Sequence, residues 1–95
     1  MAFSLPLPPP LDAQGWKLKI RDRERSEPPH VTILQKRRAW RIALRSLRFL
    51  DREPDPGEVP KQILEYIAHN VDLLRAKWDE IYPENPINSQ EDPDE

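Results

Sequence analysis

Trp16-Lys17-Leu18-Lys19-Ile20-Arg21-Asp22-Arg23 is the stretch on which the fold turns. Trp16, Leu18 and Ile20 fall on one side of an extended chain, and Lys17, Lys19, Arg21 and Arg23 on the other. A period of two belongs to a strand with one face buried and one in water. Working outward, Val31-Thr32-Ile33-Leu34 is a β-branched second strand whose inward pair is Val31 and Ile33. Ala39 to Leu44 gives a third, with Trp40, Ile42 and Leu44 pointing one way and Arg41, Ala43 and Arg45 the other. Arg48-Phe49-Leu50 reads as a short fourth strand after a bend at Ser46-Leu47. Lys36-Arg37 joins the second and third strands tightly, without the Asn-Gly chemistry of most two-residue hairpins.

After a loop from Asp51 to Gly57 the period changes. Val59, Ile63, Ile67, Val71, Leu74, Trp78 and Ile81 recur every three or four residues, as one face of a helix does. Pro60 suits the first turn, where a missing N–H costs nothing, and Tyr82-Pro83 ends the run. His69-Asn70 marks the place for a kink, because Asn can cap a second helix. The expected architecture is α+β: a three- or four-stranded antiparallel sheet with one long amphipathic C-terminal helix packed on one face. Its core should hold Trp16, Ile20, Ile33, Trp40, Ile42, Ile63, Ile67, Leu74 and Trp78.

The flanks read differently. Residues 1–13 carry Pro6-Leu7-Pro8-Pro9-Pro10 and are expected to be a disordered leader, with a PxxP spacing that some aromatic-lined grooves bind. Residues 14–82 form the domain, and residues 83–95 an acidic, disordered tail. Cysteine is absent, which excludes a disulfide framework and thiolate metal ligands. No apolar run approaches the ~20 residues of a membrane span. The first residues lack the basic start of a signal peptide, so a cytoplasmic protein is expected.

Charge is divided along the chain. From Gln14 to Glu53 there are 12 Lys/Arg against 5 Asp/Glu; from Pro54 to Glu95 there are 3 against 11. The formal net charge of −2 therefore hides a basic half and an acidic half, a pattern that points to binding. Lys17, Lys19, Arg21, Arg23, Arg41 and Arg45 are expected to project from one sheet face, with Lys36, Arg37 and Arg38 as a basic turn at its edge. Such a face fits plain solvation of an open sheet, an acidic protein partner, or a phosphate backbone. It offers no aromatic for stacking bases, since Trp16 and Trp40 fall on the apolar side.

Catalytic signals are sparse. His30 and His69 have no companions at metal-ligand spacing, and Ser4, Ser26, Ser46 and Ser89 have no nucleophile-type context. With only Gly15 and Gly57, there is no glycine-rich phosphate loop. The chain reads as a non-enzyme without a cofactor or metal; a hydrolase or nuclease centred on His30 is the remaining alternative. Trp78 and Tyr66 read as packing residues of the helix.

Pro28-Pro29-His30-Val31, the strand with Ala39-Trp40-Arg41-Ile42, the Val59-Pro60-Lys61 helix start and the late Trp78 resemble a small bacterial family of unknown function. The resemblance covers Trp16 to Trp78. It implies a Pro-Pro-His strand opening, a helix starting at a Leu-Pro or Val-Pro pair, and membership of a two-gene, toxin–antitoxin-like cassette. Family members carry an aromatic and a second His soon after the Pro-Pro-His, where this chain has Val31-Thr32-Ile33. Only the structural part of that motif carries over. The functional expectation is a small binding module acting through a protein partner, with nucleic-acid binding on the basic face as the alternative; either is compatible with a dimer.

Overall fold

The computed structural model describes residues 2–21 and 27–87. Four strands, β1 (Phe3–Leu5), β2 (Trp16–Ile20), β3 (His30–Gln35) and β4 (Arg38–Ala43), form one antiparallel sheet in the order β1-β2-β3-β4. A 3-10 turn (Pro56–Glu58) leads to helices α1 (Lys61–His69) and α2 (Val71–Ile81). The class is α+β.

Alternation sets the layers. Leu18 pairs with Ile33, which pairs with Trp40, and Val31 pairs with Ile42. Residues opposite one another share a face, so these side chains make a continuous apolar surface. They meet Ile63, Ile67, Leu74 and Trp78 from the helices in one core, every member of which is nearly or wholly buried. All nine expected core residues are in it. Trp40 is fully buried and Arg41 half-buried, which fixes the register of β4. Trp16 packs on Trp40 with ring centroids 5.5 Å apart, and the Trp40 indole N–H donates to the Asp55 carbonyl at 3.0 Å. The loop before α1 is thereby tied to the middle of the core.

Three expectations need correction. The first is the long helix. Helical hydrogen bonding is interrupted at Asn70, whose φ of −112° and ψ of 17° lie off helical values. Its side chain does not cap α2; it donates backwards to the Tyr66 carbonyl at 2.8 Å. The result is a 9-residue and an 11-residue helix in place of one.

The second is the fourth strand. Arg48-Phe49-Leu50 makes a single bridge, Phe49 to Ile42, because Leu47 turns through a left-handed φ of 60° just before it. The fourth strand comes instead from the other end of the chain. Phe3, Ser4 and Leu5 pair with Ile20, Lys19 and Leu18. The third correction follows: residues 2–13 are built into the fold. Leu5, Leu7 and Leu11 are buried in the core, and the Tyr66 hydroxyl donates to the Pro6 carbonyl at 2.8 Å. Three leucines among the prolines supply the apolar area that orders the segment, while Pro6, Pro8, Pro9 and Pro10 stay exposed.

Beyond α2 the described chain continues as a strap. The Trp78 indole N–H donates to the Asn85 carbonyl at 2.7 Å, and the Asn85 amide donates to the Glu27 carbonyl at 2.9 Å. Tyr82 is buried and its hydroxyl donates to the Arg21 carbonyl; Ile87 is buried as well. The tail expected to be disordered from residue 83 is therefore ordered as far as Ile87, and residues 88–95 lie outside the described residues.

Candidate binding surface on the free sheet face

The cations expected on one face separate into two groups. Arg38, Arg41 and Arg45 are engaged within the molecule. Arg41 receives Asp51 on one side, with contacts of 2.9 and 2.7 Å, and Glu27 on the other at 2.8 Å. The fork of the guanidinium matches the Asp51 carboxylate with two parallel bonds. These bonds from Arg41 hold the Asp51 carboxyl below the usual carboxylate range and keep Arg41 firmly charged. Arg38 bonds Glu58 and Gln35, and lies 5.0 Å above the Trp40 ring. Arg45 lies past the end of β4, not on the sheet, and donates to the Ile87 and Pro86 carbonyls at 2.6 and 3.0 Å. Arg45 therefore fastens the strap, and Arg75 does the same for the end of β4 by donating to the Leu44 carbonyl at 2.7 Å.

Lys17, Lys19, Arg21, Lys36 and Arg37 form the second group. Among the described residues none of them has an acidic partner within ion-pair distance. Lys17 and Lys19 stand on one face of β2, ~6.6 Å apart along the strand. Lys17 sits opposite Leu34, and the hairpin closed by the Gln35–Arg38 pair presents Lys36 and Arg37 at the same end. Leu34 and Ala39, paired with each other, are only partly buried. The exposed end of the sheet is thus a small apolar floor rimmed by cations. Lys36 holds a φ of 56°, a left-handed conformation in which a side chain costs about 1–2 kcal/mol over glycine. Arg23 lies outside the described residues.

His30 does not belong to this surface. It is fully buried, its ring 5.6 Å from that of Trp78. Nδ1 lies 2.8 Å from the Pro28 carbonyl and Nε2 3.6 Å from Glu27. Pro28-Pro29 delivers the ring inward as β3 begins. Among the described residues no group of three His, Asp or Glu could hold a metal ion, and no helix is long and apolar enough to cross a membrane.

A cleft of about 340 Å³ opens beside the lysines, lined by residues 4–7, Asp12 and residues 16–19. Nothing in the amino-acid pattern announced it. Its existence depends on β1, which composition had disguised. The Glu27–Arg41–Asp51 cluster was equally hidden, because its carboxylates lie 14 and 10 residues from the arginine in loops. Comparison with known proteins adds no identity: no family model, curated protein or solved structure matches the chain.

Proposed function

We propose that this chain is a non-catalytic binding module that takes an acidic segment of a protein partner on the free end of its sheet. The observation that carries this reading is the division among the cations. The fold neutralises or ties down Arg38, Arg41 and Arg45, yet among the described residues leaves Lys17, Lys19, Lys36 and Arg37 unmatched around Leu34 and Ala39. An apolar floor with a charged rim is the anatomy of a protein contact. A phosphate backbone is a poorer fit, since the face is short of cations once the arginines are engaged and both Trp16 and Trp40 are buried. The resemblance to a two-gene family makes the neighbouring gene's product the first partner to test.

The test is capture from the native host at low salt, with and without nuclease, by the wild type and by K17E/K19E. A protein retained by the wild type through nuclease treatment, and lost in the double variant, is the expected result. Retention that disappears with nuclease would replace the protein partner by nucleic acid. Equal retention by both proteins would remove the surface from consideration.

A further inference from the structure

We infer that the cleft between β1 and β2 receives one large apolar side chain of the partner segment, with flanking carboxylates on Lys17 and Lys19. This rests on the proposed acidic partner and specifies what it must carry.

The pairing of β1 with β2 stops at Leu5 and Leu18. Past that point Pro6 and Leu7 follow α1, where the Tyr66 hydroxyl holds the Pro6 carbonyl, while Trp16 is turned back by its N–H bond to the Leu11 carbonyl at 3.2 Å. The two segments therefore diverge for a structural reason, and a cavity of about 340 Å³ is left between them. That volume is near the lower end for ligand sites, and suits a single side chain better than a free metabolite. Leu5, Leu7, Trp16 and Leu18 line it, so its interior is apolar. Its polar rim is asymmetric. Lys17, Lys19 and Ser4 line it along the paired strands, and Asp12 lines it from the turn before β2. Among the described residues neither lysine has an acidic partner. An occupant with carboxylates must place them toward the lysines and away from Asp12. An apolar residue between two acids meets both demands in one extended segment, since the alternation of side chains separates anchor from charges.

Two probes separate this inference from the broader reading: N-acetyl-Glu-Phe-Glu-amide and N-acetyl-Glu-Ala-Glu-amide, titrated into the full chain at low salt and followed by backbone amide shifts. The Phe probe should bind about ten-fold more tightly, the effect of burying a large apolar side chain in place of a methyl group. Its shifts should centre on residues 4–7 and 16–19. Ser4 is exposed, so Ser4→Trp should fill the cleft without unfolding the domain, and should erase the preference for Phe while leaving the attraction of the Ala probe intact. Asp12→Asn should strengthen both probes. Equal, salt-sensitive binding of the two probes would overturn the cleft and leave the acidic-partner surface standing. Absence of shifts with either probe would overturn both.

Discussion

Leu5→Ala and Leu7→Ala, singly and together, decide whether the first residues are a leader or part of the domain. Both side chains are 7% exposed and belong to the core. Each change removes three carbons at about 0.8 kcal/mol each, so about 2.4 kcal/mol of burial, with a cavity contribution kept small by the edge position. The pair should cost about 5 kcal/mol if the two act independently. A 95-residue domain has a total stability of roughly 5–14 kcal/mol, so the double variant should sit near its folding limit. Urea unfolding followed by tryptophan fluorescence measures the loss, because Trp16, Trp40 and Trp78 are all in the same core. Amide exchange adds a local readout: β2 amides that point toward β1 should lose protection before those that point toward β3. A double variant within about 0.5 kcal/mol of wild type, with unchanged β2 protection, would show that the pairing of Phe3–Leu5 with β2 contributes nothing and that the segment is a leader after all.

Two further changes test polar groups on and beside the sheet. The folded-state pKa of Asp51 is depressed by Arg41, so its stabilisation is present above its unfolded value near ~3.9 and is lost as pH falls through the lower folded value. Asp51→Asn should therefore cost about 1 kcal/mol at neutral pH, the arginine being partly exposed, and the gap from wild type in urea titrations should close below about pH 4. Thr32 lies between Lys19 and Arg41 in register, 2% exposed, with a buried hydroxyl that has no hydrogen-bond partner. Thr32→Val should stabilise the domain by about 1 kcal/mol, raising the urea midpoint at constant slope, and a loss of stability would indicate that the hydroxyl is satisfied.

Most of the layer structure could be read from residue order because it depends on local period. Alternation from Trp16 to Ile20 and the three-to-four spacing from Val59 to Ile81 are geometric consequences of strand and helix, and the buried set follows from them. What escaped depends on partners distant along the chain. Phe3-Ser4-Leu5 is too short to show a period, and it becomes a strand only because β2 offers an open edge. The break at Asn70 depends on a side chain choosing the carbonyl behind it over the N–H groups ahead, a choice that spacing does not encode. The basic face was legible as a set of cations. Which of them were already engaged was not, since Glu27, Asp51 and Glu58 approach from loops and the strap carbonyls from beyond α2.

The strap also bears on how the protein is made. Every strand pair in this sheet joins neighbours in chain order, so the sheet can assemble progressively as synthesis proceeds. Its apolar face has nothing to cover it until α1 and α2 follow, and the Tyr82, Asn85 and Ile87 contacts wait for the last described residues. A nascent chain that has passed β4 but not α2 therefore displays Trp40, Ile42 and Ile33 to the cell. Emergence of the segment from Tyr82 to Ile87, more than any early pairing step, is what completes this domain, and chains halted before Trp78 should be held by chaperones or aggregate.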